Sequence, residues 1–155
     1  MKGDKKLIDT LNSLLADELT AINQYMVHAE MCENWGFPKL GKAVEKRSIT
    51  EMKHAEKLIA RILFLEGIPI VSNLRPMHIG AEIPKQINND HTLELSAVKN
   101  YNAAIIQAGE AGDFATRDML QEILKQEDEH VDELEGFIDQ IKQMTLPIFL
   151  SIQTA

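Results

Sequence analysis

The chain states one pattern twice, 76 residues apart: Glu18, Tyr25, Glu51 and His54 recur as Glu94, Tyr101, Glu127 and His130. The residues between them agree in type as well, ELTAINQY from Glu18 to Tyr25 against ELSAVKNY from Glu94 to Tyr101. A duplication that keeps acids and imidazoles at fixed spacing restricts the fold, because the two copies must present equivalent faces to each other about a pseudo-two-fold axis. Two copies suffice to bury those faces, so the repeat describes one duplicated unit and not an open solenoid.

The unit is a helical hairpin. Advancing 100° per residue from Glu18, the residues Leu7, Leu11, Leu14, Leu15, Ala21, Ile22, Tyr25, Ala29 and Cys32 share its stripe, which predicts a helix over roughly 5–34. Gly36 and Pro38 end it and open a second helix over 39–66, where Leu40, Val44, Leu58, Ile62 and Leu65 align with Glu51 and His54. From Gly67 to Ile83 no helical period survives, and a segment of that length suits a crossover along a bundle better than a tight connection. A third helix over 84–111 carries Ile87, Glu94, Ala97, Val98, Tyr101, Ile105 and Ala108 inward. Asp113 caps a fourth, over 114–144, that carries Leu120, Ile123, Leu124, Glu127, His130, Leu134 and Ile138. The apolar tail, LPIFLSIQTA, predicts a short fifth helix over 147–153 resting on a neighbouring subunit, with a frayed terminus as the alternative. The expected fold is all-α, a single domain over 1–155.

Composition agrees. At 155 residues the chain is long enough for one well-filled core, and aromatics make up only 5%. One cysteine, Cys32, excludes an intrachain disulfide framework and points to a reducing compartment. No apolar run approaches the roughly 18 residues of a membrane span, and nothing after MKGDKK resembles a signal sequence, so a soluble cytoplasmic protein is expected. The net charge of −8 argues against nucleic acid and anionic membranes as partners and favours cations.

The six repeated acids and histidines point along otherwise apolar stripes, and the reading is that no Lys or Arg shares them. In a helix, i and i+3 side chains lie about 5–6 Å apart, so Glu51 with His54, and Glu127 with His130, can grip cations from one face each. Glu18 and Glu94 add a carboxylate from each remaining helix. Four buried carboxylates without counter-charge would cost several kcal/mol each or take up protons. Two divalent ions balance them, and ligation by carboxylates with one imidazole per ion suits iron or manganese, whereas a structural zinc site would show thiolates.

At this point the chain resembles the bacterioferritins, the haem-containing branch of the ferritins, in MKGD, in NQY around Tyr25, in Trp35-Gly36, in EMKHAEKLIARILFLEG from Glu51 to Gly67 and in EDEH from Glu127 to His130. A Glu from each of two helices with Glu-x-x-His from the other two is the recognised pattern of ferritin-like di-iron bundles. The resemblance implies a ferritin-like four-helix bundle in which Glu51 and Glu127 bridge two irons, Glu18 and His54 complete one site, and Glu94 and His130 complete the other. It implies oxidation of Fe(II) by O2 or H2O2 and storage of Fe(III) mineral inside a homo-oligomeric shell of about twenty-four subunits. Tyr25 is read either as a hydrogen-bonding or electron-donating neighbour of the centre or as a core residue. Tyr101 is read as restoring the symmetry or filling the core.

Met52 points about 100° away from the centre, in a direction shared by Ile49, Ile59 and Leu63, and from the residues alone it is an interface methionine. The resemblance implies that Met52 from two subunits ligates one haem, a path for electrons, possibly from a small ferredoxin, that release stored iron. Lys46 and Thr50 stand where some relatives hold a His and an Asp of an additional inner iron site, so that feature does not carry over. The competing reading is a rubrerythrin-like di-iron or di-manganese oxidase or peroxidase without storage.

Overall fold

The computed structural model describes residues 1–155. Its helices are α1 (Lys5–Asn34), α2 (Pro38–Phe64), α3 (Ile83–Glu110), α4 (Phe114–Met144) and α5 (Leu146–Ser151), and there are no strands. Their ends follow from local chemistry. The Leu7 N–H donates to Asp4 Oδ1 at 2.8 Å and the Thr116 N–H to Asp113 Oδ1 at 3.0 Å, each satisfying a donor the first helical turn leaves free. The second, third and fifth helices instead carry Pro38, Pro84 and Pro147 in their first turn, where a missing N–H costs nothing. The two hairpin turns pass through Gly36 at φ +85° and Gly112 at φ +72°, a left-handed backbone that other residues adopt only at a cost.

α1 packs chiefly on α2 and α3 chiefly on α4, which gives two hairpins. Residues 65–82 run between them without regular structure and are tied to α1: Arg75 donates to Asp17 Oδ1 at 2.9 Å and to Ser13 Oγ at 2.8 Å, and the Ile70 N–H donates to Asn12 Oδ1 at 2.8 Å. The result is a four-helix bundle with a long crossover and a short terminal helix. No helix is long and apolar enough to cross a membrane.

Apolar residues gather at the two ends of the bundle. One cluster joins Leu7, Leu11, Leu15, Leu58, Ile62 and Leu120, and the other joins Cys32, Leu40, Ile83, Ile87, Leu134 and Phe149. On every long helix the repeated acid or Glu-x-x-His lies in sequence between its contributions to the two clusters, so the polar side chains share a band sealed at both ends.

The short fifth helix is present, and it is seated on its own bundle. Phe149 is fully buried in its own bundle, edge-on to Phe137 at 5.9 Å, and the Lys39 N–H donates to the Gln153 carbonyl at 3.1 Å. The tail therefore closes one end of its own chain. Of its large apolar residues, Ile148 and Ile152 face outward.

Candidate metal centre

Glu18, Glu51, His54, Glu94, Glu127 and His130 converge in the sealed band as two overlapping groups, Glu18–Glu51–His54–Glu127 and Glu51–Glu94–Glu127–His130. Within each group the ligand atoms lie within 4.8 Å of one another. Glu51 and Glu127 belong to both. Glu51 places Oε2 2.9 Å from His54 Nδ1 and Oε1 2.8 Å from His130 Nδ1. Glu127 places Oε1 2.7 Å from His54 Nδ1 and Oε2 3.7 Å from His130 Nδ1. Glu18 approaches only His54, at 3.5 Å, and Glu94 only His130, at 3.3 Å. Two carboxylates thus span two positions, and each position has its own further carboxylate and imidazole.

The electrostatics are those of a site short of positive charge. Burial, then the charge of Glu51, holds the Glu18 carboxyl well above its ordinary range. Burial, then Glu127, pushes Glu94 up to about 7. Burial alone would lower both histidines, but the carboxylates around them, first Glu127, win and push His130 up to about 12 and His54 up as well. Each of these groups takes or keeps a proton where a cation would otherwise stand. Four buried polar atoms, Glu51 Oε1, Glu94 Oε2, Glu127 Oε1 and His130 Nδ1, still make no hydrogen bond. Buried polar atoms are nearly always paired, so this concentration in one band fits a metal pair. A donor set of carboxylates and imidazoles without thiolate suits iron or manganese. Cys32 lies elsewhere, 3.6 Å from Gln86.

The repeated tyrosines reach across the bundle. Tyr25 on α1 donates to Glu94 Oε1 on α3 at 2.5 Å, and Tyr101 on α3 donates to Glu18 Oε1 on α1. Each phenol fixes the unshared carboxylate of the opposite hairpin. Both are fully buried, and burial, then that carboxylate, raises each hydroxyl well above its ordinary value.

A family match now adds to this geometry: the family described as Ferritin-like domain matches residues 8–144. The bacterioferritin of Rhodobacter capsulatus is 44% identical over 135 residues, 87% of this chain and 84% of that one. Those of Mycolicibacterium paratuberculosis and Brucella melitensis are 34% and 37% identical, over 96% and 90% of this chain and 94% and 86% of theirs. The chain belongs to the bacterioferritins. In this bacterioferritin, Met52 stands on α2 outside the metal band and is 42% exposed, as are Ile49 at 47% and Leu63 at 58% on the same helix, whereas Ile59 packs against the core.

One expectation fails. Arg47 lies four residues before Glu51 on the same stripe and is buried, so the stripes are not free of cations. Its charge is already engaged, however, by Asp90 at 3.2 Å and Glu133 at 3.4 Å, and its guanidinium lies 4.9 Å from the centre of the Tyr25 ring. Asp90 also accepts from Gln24 and from His28 Nδ1, both at 2.8 Å, while His28 Nε2 accepts the Gly80 N–H at 3.0 Å. That pairing makes His28 a neutral Nδ1–H tautomer. This bacterioferritin therefore holds a second buried polar network with Asp90 as its hub. The sequence signal for it was Arg47 and Asp90 each sitting one turn before a repeated Glu, and the repeat did not flag them because neither is duplicated.

Proposed function

We propose that the chain is a ferroxidase and iron-storage subunit, with Glu18, Glu51, His54, Glu94, Glu127 and His130 holding two Fe(II) ions as substrate. The observation that carries this is the pair of shared carboxylates, Glu51 and Glu127, each with one oxygen toward each histidine. Two iron ions side by side each supply one electron to O2 or H2O2, the chemistry of a two-metal site. The protein's part is to hold and to exclude. The histidines give up protons to accept metal, Tyr25 and Tyr101 keep Glu94 and Glu18 oriented, and the apolar clusters close the two ends of the band. Tyr25 is also placed to give an electron, its hydroxyl lying on a carboxylate of the centre. The product Fe(III) would be stored as mineral in a shell of about twenty-four copies, the assembly that the bacterioferritin fold implies. Met52, an exposed thioether among exposed apolar residues, is suited to donate one axial sulfur to a haem shared with a second copy.

The test is aerobic addition of Fe(II) well above two per subunit. The expected result is rising ferric absorbance and an electron-dense core. Replacing both Glu18 and Glu94 by Ala should abolish the fast phase of oxidation, and unchanged kinetics would remove the centre from the mechanism. Oxidation without any core would favour a rubrerythrin-like oxidase.

A further inference from the structure

The repeat fails at one pair of positions that border the centre. Gln126 and Thr50 are related by the same 76-residue offset, each four residues before the histidine of its own helix. Gln126 reaches across the bundle: His54 Nε2 donates to Gln126 Oε1 at 2.5 Å. Thr50 makes no matching contact with His130, and its hydroxyl donates to the Lys46 carbonyl of its own helix at 3.1 Å. His130 lines a cleft of about 250 Å³ together with Lys46, Thr50 and Glu129, and its Nε2 has no side-chain partner of the kind Gln126 gives His54.

Symmetric ligands therefore rest on unsymmetric support. An imidazole that binds a cation through Nδ1 must carry its proton on Nε2 and keep its ring turned toward the ion. The bond to Gln126 meets both conditions for His54 in advance, because an amide oxygen accepts only from a protonated Nε2. His130 has to fix its ring on binding, with its outer edge on an open cleft. A threonine is too short to help, and its hydroxyl is already used within α2.

We propose that Gln126 is a positioning residue that makes the His54 half of the centre the tighter of two unequal metal sites, with Thr50 as the substitution that leaves the His130 half loose. The inference rests on the di-metal reading above. Loss of a hydrogen bond that orients a metal-binding histidine typically weakens binding about 10- to 100-fold, which sets the size of the effect.

The experiment is an anaerobic Co(II) titration of the full-length assembled protein, followed by calorimetry and by the visible cobalt spectrum. The unmodified protein should bind two Co(II) per chain in two resolved steps, with the tight step surviving Glu94→Ala and lost in Glu18→Ala. Gln126→Thr should weaken the tight step about 10- to 100-fold and merge the two. Thr50→Gln, for which the cleft has room, should strengthen the weak step by a similar factor. The double swap should restore two steps, with the tight one now lost in Glu94→Ala. A purely structural role for Gln126 would not move affinity from one half to the other. Two equal steps in the unmodified protein, or a Gln126→Thr protein with an unchanged tight step, overturn the proposal and leave the di-metal reading standing. No Co(II) binding at all overturns both.

Discussion

Glu94 bears part of the cost of placing four carboxylates in an apolar bundle. Burial, then Glu127, raises its carboxyl from 4.5 to about 7, so between those pH values the folded chain keeps a proton that the unfolded chain releases. The stability tied to that proton is fully present below pH 4.5 and is lost as pH rises through 7, a loss of about 3 kcal/mol at about 1.4 kcal/mol per unit. The histidines act in the same direction at higher pH: His130, raised from 6.5 to about 12, contributes stability below 6.5 that fades as pH rises toward 12. Glu51 is shifted downward and matters only in acid, below its ordinary value of 4.5. The chelated protein should therefore melt several degrees lower at pH 8 than at pH 5.5, and Glu94→Gln should reduce the slope between pH 5 and 7 without abolishing it, because Glu18 is raised in the same direction. A melting temperature that climbed with pH across that range would mean that neither Glu94 nor Glu18 keeps a proton in the folded chain. The six acids and histidines were legible in the sequence because their spacing is periodic. Arg47, Asp90, His28 and Gln126 were not, because each matters through a partner 43 to 72 residues away in the chain, and no local pattern encodes that pairing.

At the scale of elements, the six-residue α5 is too short to be stable in isolation and is held by the side chains it buries. Phe149→Ala should cost about 3–5 kcal/mol, read as a lowered melting temperature, while two Co(II) per chain still bind. Loss of the metal stoichiometry would show that the end cluster also sets the ligands. Leu58→Ala, in the opposite cluster, should cost about 2–5 kcal/mol by the same measurement. The four long helices and the crossover could be read from a 3.6-residue period that stops at Gly67. The seat of α5 could not. A run of apolar residues states that a surface must be covered without saying by what, and Phe149 is buried against the chain's own bundle end.

For the whole molecule, the exposed face of α2 around Ile49, Met52 and Leu63 is the counterpart of the sealed band inside. If Met52 ligates a haem within a shell, as proposed, Met52→Leu should give an assembly of unchanged size on a sizing column that oxidises iron normally but lacks the haem band. A retained band would assign the haem to another ligand. The duplication determined, from sequence alone, a bundle of two equivalent hairpins and the six side chains that face its axis, because helical periodicity dictates which side of each helix turns inward. It also placed Tyr25 and Tyr101 on those faces. Only the tertiary structure decided that Glu51 and Glu127 each face both histidines, that each phenol serves the acid of the opposite hairpin, and that Gln126 braces His54 while nothing braces His130. Those assignments depend on which atoms meet across separately folded helices, and that is fixed by the packing of the helices against one another, not by the period within any one of them.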